Sequence, residues 1–235
     1  MTETAIDLCN IRVAFADKIF SVNIAIPQGS LCALVGSSGA GKTTILQIIS
    51  GFVRPQSGIV RLFGKDVTEL SPSSRPVNFL FQQNNLFPHL TVEENIGLAI
   101  SSKLRLKPSD RQVITDALSA VHLIGFEKRL PSTMSAGEKQ RVSLARSMLR
   151  KQPVLLLDEP FSSCDPCTRR HLLDCIETLR QQQNLTVILA THQPYEIQEK
   201  ADFIAFIHNH TLCEITPTQQ AFSHPQDSFR KYLGY

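Results

Sequence analysis

The sequence predicts an α/β protein in which a largely parallel sheet, covered by helices on both faces, is interrupted by a helical lobe. Three observations lead there. The runs at 31–35, 154–157 and 186–190 are uniformly apolar, as strands buried on both faces are. Stretches of helical spacing alternate with strands, the pattern of strand–helix–strand units. From about residue 86 to residue 150 the helical period takes over, which makes that segment an insertion into a sheet-based core.

Residues 6–13 and 19–26 alternate as half-buried strands do, and Pro27-Gln28-Gly29 ends the second. The buried run at 31–35 is followed by a glycine-rich loop at 36–41 and by helical spacing over 42–49, which Gly51 terminates. The segment from Arg54 to Gly58 is a turn into a strand at 59–63, and 77–81 is a further short apolar run. Within the helical segment Val113, Ala117, Leu118, Val121 and Ile124 recur at three- and four-residue steps. Ser135-Ala136-Gly137-Glu138 matches the Ser-x-x-Glu capping box, and Val142, Ala145, Met148 and Leu149 mark the apolar face of the helix it opens. Arg146, Arg150 and Lys151 suit the negative pole of that helix, and Gln152-Pro153 stops it. Runs at 203–207 and 212–215 flank His208-Asn209-His210 as a hairpin would.

At 235 residues, with 42% hydrophobic and 19% charged side chains, the chain suits one domain with an elaborated lobe. Twenty-four basic and 21 acidic residues leave a net charge of +3 with no run of like charges, so no nucleic-acid partner is expected. The apolar runs are shorter than the roughly 18 residues of a membrane helix, and the opening residues lack a signal-peptide pattern. Six cysteines, Cys9, Cys32, Cys164, Cys167, Cys175 and Cys213, are scattered as reduced thiols are, and no histidine cluster completes a zinc site around Cys164 and Cys167.

Gly36-Ser37-Ser38-Gly39-Ala40-Gly41-Lys42-Thr43 matches G-x-x-x-x-G-K-[ST] in full, between a buried strand and a helix. Such a loop turns backbone N–H groups toward phosphate oxygens at a helix N-terminus. Lys42 is expected to reach the β and γ phosphates of ATP, with the Thr43 hydroxyl on Mg²⁺ and Thr44 beside it at the nucleotide. Asp158 and Glu159 end an apolar strand, where Asp158 suits a magnesium-organising role and Glu159 that of general base for the attacking water.

With these motifs in place the chain resembles the ABC-transporter ATPases over nearly its whole length. The resemblance implies a RecA-like P-loop NTPase core with a mixed sheet, an antiparallel β subdomain and an inserted helical subdomain. It divides the chain into a nucleotide-binding core of residues 1–85 and 152–235 and a signature-motif subdomain of residues 86–151. Gln82 looks like the family's glutamine loop, which contacts the metal and the attacking water. Met134-Ser135-Ala136-Gly137-Glu138 looks like the signature, whose Ser135 and Gly137 would bind the ATP held by the opposite protomer. Asp165 stands where the family has its aspartate loop, His192 looks like the switch histidine at the γ-phosphate, and Phe15 is placed like the aromatic residue that stacks on adenine. Two positions depart from the usual Leu-Ser-Gly-Gly-Gln signature: Ala136 replaces a glycine, and Glu138 replaces glutamine and brings a carboxylate expected to slow turnover. Cys164 in place of the usual leucine is a milder change.

The resemblance further implies a homodimer bound to integral membrane permease subunits at the cytoplasmic face of the inner membrane, served by a periplasmic solute-binding protein. The stretch from Pro72 to Leu98, with Arg75-Pro76, Gln82 and Asn95-Ile96-Gly97, looks like the thiamine-importer ATPases of bacteria. Iron, polyamine and sulfate importers share much of it and stay as alternatives. A soluble ABC-type ATPase without a transporter is the other class, but no heptad repeat lies between the phosphate loop and Ser135, and the chain holds one ATPase domain.

Overall fold

The computed structural model describes residues 3–15, 18–82, 85–208 and 211–234, without the side chains of residues 15, 18 and 212–214. In chain order the elements are β1 (Thr4–Phe15), β2 (Lys18–Pro27), β3 (Leu31–Val35), α1 (Lys42–Ser50), β4 (Ser57–Leu62), β5 (Lys65–Asp66) and β6 (Val77–Leu80). Then come α2 (Val92–Gly97), α3 (Pro108–Ala120), α4 (Ala136–Met148), β7 (Val154–Asp158) and α5 (Pro166–Gln183). The chain closes with β8 (Thr186–Thr191), β9 (Phe203–His208), β10 (Thr211–Pro217), α6 (Thr218–Ser223) and α7 (Asp227–Leu233). They form two compact units, one of Met1–Phe79, Pro153–Asp158 and Arg180–Tyr235, the other of Leu80–Gln152 and Glu159–Leu179.

The first unit is built on a ten-stranded sheet in the order β5-β4-β1-β2-β10-β9-β3-β8-β7-β6. Its centre is parallel: β3 pairs with β8 and β9, and β7 with β8. One end is antiparallel, with β1 between β2 and β4, and β10 returns antiparallel on β9. The sheet is therefore mixed, as the resemblance implied. Strands β3 and β7 are buried at every residue, which explains their unbroken apolar runs. Ile45, Leu46, Ile48 and Ile49 of α1 join Leu34, Leu156 and Ile188 in the core. Gly51 ends α1 at φ 85, its N–H turned back to the carbonyls of Gln47 and Ile48. A Cβ at Gly51 would lie 2.6 Å from Nε of Arg75. That guanidinium, buried beneath the helix end, donates to the carbonyls of Ile48, Ile49, Leu70 and Thr68.

In the second unit α3 corrects the expected helical face. Val113 is 44% and Ile124 69% exposed, while Ile114, Ala117, Leu118 and Val121 are buried. The face is set one residue on from Val113, and Ile124 falls beyond the helix end at Ala120. Helix α5 stands outside the sequence expectations, although its buried Leu172, Leu173, Ile176 and Leu179 keep the helical interval.

Candidate nucleotide site

The phosphate loop begins where β3 runs out. Val35 pairs with Thr191 across the β3–β8 ladder, and Ala190 with Asp158 across β8–β7. The sheet register thus delivers Gly36, Asp158 and His192 to the carboxyl ends of three adjoining parallel strands, the place where such sheets bind ligands. Gly36 is required by close approach, since a Cβ there would stand 2.8 Å from the Ile207 carbonyl oxygen. Gly39 and Gly41 have φ of 77 and 108, and a Cβ at Gly41 would sit 2.5 Å from the Phe20 ring. Ser37, Ser38 and Gly39 form the exposed tip, and Ala40 is buried beneath it.

Helix α1 opens at Lys42 without a capping side chain and without an acid in its first turn. The positive end of its dipole therefore favours an anion at this end. Lys42 is 5% exposed and lies over the loop, Nζ donating to the carbonyls of Gly36 at 2.8 Å and Ser37 at 3.1 Å. Thr43, followed in the same turn by the half-buried Thr44, donates from Oγ1 to Oδ2 of the buried Asp158 at 2.8 Å. A hydroxyl and a carboxylate converging beside a phosphate loop are hard oxygen donors, and this pair fits Mg²⁺. His192 is exposed, with its carbonyl held by the Tyr232 hydroxyl at 2.8 Å. The side chain of Phe15 lies outside the described residues.

The second unit holds the remaining expected residues. Glu159 has φ 46, in the left-handed region. Its Oε2 accepts from Nε2 of Gln82 at 3.4 Å, and its carbonyl accepts from Nε2 of Gln140 at 2.9 Å. Asp165 caps α5, its Oδ1 accepting the N–H groups of Cys167 and Thr168 at 3.0 Å each, and the bonds from Thr168 hold its carboxyl below the ordinary value. Burial pushes the Cys164 thiol up, which disfavours the thiolate a redox pair needs.

At the start of α4 the capping box is complete: Glu138 N–H donates to Ser135 Oγ at 3.2 Å, and Ser135 N–H to Glu138 Oε2 at 2.7 Å. That second bond comes first in holding the Glu138 carboxyl below its ordinary range. Arg129 stands 3.7 Å from Glu138 Oε1, with its guanidinium 4.3 Å from the centre of the Phe126 ring. The carboxylate is thus turned back onto its own helix end and faced by a cation. Gly137 fits closely, since a Cβ would meet the Ser163 carbonyl oxygen at 2.7 Å. Gln140 and Arg129 were not among the expected site residues. The signal for Gln140 was available, because Gln140, Ser143, Leu144 and Ser147 form one buried helical face with a large amide in it.

A family model described as ABC transporter matches residues 19–162. The chain belongs to that family. It is an ABC-type ATPase, and its relatives span its whole length. It is 42% identical over the whole chain to the thiamine import ATP-binding protein ThiQ of Brucella suis, covering 98% of that protein. The protein of the same name from Chelativorans is 45% identical over 90% of this ATPase and 87% of its own length. Among solved structures, a dimeric ATP-binding cassette in a post-hydrolysis state, bound to ADP and Pi, matches with a TM-score of 0.80. It is 25% identical and covers 91% of this ATPase and 98% of that chain.

Proposed function

We propose that this ATPase energises a bacterial thiamine importer, as a homodimer on the cytoplasmic face of the inner membrane, attached to integral membrane permease subunits and served by a periplasmic solute-binding protein. The observation that carries the nucleotide chemistry is the meeting of Lys42, the bare N-terminus of α1 and the Thr43–Asp158 pair at one end of the parallel strands. Thiamine as cargo is supported by the name of relatives 42% identical over the entire chain. Among the described residues no helix is long and apolar enough to cross a membrane, and the assignment of the solute path to separate subunits is supported by the name of the relatives, an import ATP-binding protein.

The chain's own groups account for the steps. The triphosphate settles against the N-terminus of α1, and Lys42 exchanges the Gly36 and Ser37 carbonyls for phosphate oxygens. Thr43 and Asp158 would hold Mg²⁺, which when bound would offset charge on the phosphate oxygens. Glu159 takes the proton of the attacking water, oriented by Gln82 at 3.4 Å. His192 meets the γ-phosphate from the end of β8, while Phe15 stacks on adenine. Ser135, Gly137 and the start of α4 face the ATP bound by the other protomer, with Asp165 in the adjoining loop, so each site needs two chains.

The test is the complete transporter in proteoliposomes. Glu159→Gln should bind ATP, remain a closed dimer and hydrolyse at least about a hundredfold more slowly. Full activity in that variant removes Glu159 as base. Loading the vesicles with thiamine, iron, a polyamine or sulfate decides the cargo, and ATPase stimulation by any of the last three instead of thiamine refutes the thiamine reading.

A further inference from the structure

Gln140 is only 3% exposed, yet it is a polar residue on the packed face of α4. Its amide works at both ends. Nε2 donates to the carbonyl of Glu159 at 2.9 Å, and Oε1 accepts the N–H of Ser163 at 3.3 Å, with the Cys164 thiol 4.0 Å away. Glu159 stands at φ 46, a conformation that a residue with a Cβ keeps only when its surroundings hold it. Rotation of that peptide would redirect the Glu159 carboxylate, so whatever fixes the carbonyl also aims the side chain.

We propose that Gln140 is a positioning residue for Glu159: its amide ties α4 to the strained Glu159 peptide and to Ser163, and so keeps the carboxylate beside Gln82. This rests on the reading of Glu159 as general base. Only a neutral amide of this length meets both partners, since the Glu159 carbonyl needs a donor and the Ser163 N–H an acceptor. Glutamate keeps the shape but brings negative charge against a carbonyl oxygen, and leucine removes the acceptor of the Ser163 N–H and the shorter of two contacts to the Glu159 carbonyl, which also accepts the Ser162 N–H at 3.3 Å. Gly137, three residues earlier, lets the first turn of α4 close on the Ser163 carbonyl, so helix and loop pack directly against each other. The helix whose N-terminus faces the partner's nucleotide therefore sets the base of its own chain.

The experiment is steady-state ATP hydrolysis by the complete transporter carrying Gln140→Glu or Gln140→Leu, each alone and combined with Glu159→Gln. Each single variant should lower kcat about 10- to 100-fold while KM for ATP stays within about twofold. In the Glu159→Gln background neither should reduce the residual rate further, because a residue that acts through Glu159 has nothing left to aim. Gln140→Glu is nearly isosteric and decides the matter if the leucine variant does not fold. An unchanged kcat in Gln140→Glu, or the same fold loss with and without Glu159, overturns the assignment. Full activity in Glu159→Gln alone removes the base itself and the inference with it, a result read without any Gln140 variant.

Discussion

Two helices of this ATPase start at glycine- or serine-rich turns read as phosphate sites, and they start in opposite ways. Helix α1 follows Gly41 at φ 108, has no capping side chain and no acid in its first turn, and carries a buried ammonium beside it. Helix α4 follows Ser135 with a reciprocal capping box, and its first turn contains Glu138. The first end presents its backbone donors to an incoming anion, whereas the second has already engaged part of its own set. On the function proposed above, α1 would take a triphosphate within one chain, while α4, capped by its own side chains, needs no ligand to complete its first turn. The carboxylate that Glu138 brings to this helix start is turned onto the Ser135 N–H and faced by Arg129, so its effect on turnover is read by substitution.

The sharpest way to break the contrast is Lys42→Ala. If Lys42 exchanges its two carbonyl contacts for phosphate oxygens as proposed, at about 1.5–3 kcal/mol each, ATP affinity of the variant should fall at least about a hundredfold in equilibrium binding. The other end of α1 is tested by Arg75→Ala, which leaves the carbonyls of Ile48 and Ile49 without their guanidinium. A loss of about 3 kcal/mol in urea denaturation is expected, and a loss below about 1 kcal/mol would show that water substitutes there. Ser135→Ala removes the cap of α4 and should cost about 1 kcal/mol of stability while ATP binding to the isolated chain is unchanged. Weaker nucleotide binding by the isolated Ser135→Ala chain would put α4 in the cis site and end the contrast.

Glu138→Gln is the mildest change. Glutamine can keep the bond to Ser135 but loses the favourable charge at the helix start, a cost of about 0.3 kcal/mol at this solvent-screened position. ATPase kcat should shift less than about threefold, and a tenfold rise would show the carboxylate opposing the nucleotide after all. The same carboxyl gives a pH signature. Glu138 and Asp165 titrate below their ordinary values of 4.5 and 3.8, so their contribution to stability is full above those values and is lost as pH falls through the lower folded values. Acid denaturation of Glu138→Gln should accordingly be less steep than that of the parent.

Much of this was legible in the chain. The phosphate loop, the capping box at Ser135 and the turn at Gly51 are local, because each is written in residues within a few positions of one another and in conformations that only certain side chains permit. Helix α5 carried its own interval and could have been read. The exposed faces of Val113 and Ile124 could not, since a periodic run of apolar residues leaves the register of the buried stripe open by one residue until a neighbouring surface selects it.

What the sequence by itself determined is therefore the inventory: a strand that feeds a glycine loop, a lysine and threonine after it, two carboxylates at a strand end and a capped helix start. Only the tertiary structure decided which of these meet. The Thr43–Asp158 bond depends on strand register, and the hold of Gln140 on Glu159 depends on helix packing, between residues far apart in the chain. Such pairings are set by how buried surfaces fit together, and no short-range pattern of side chains encodes that fit.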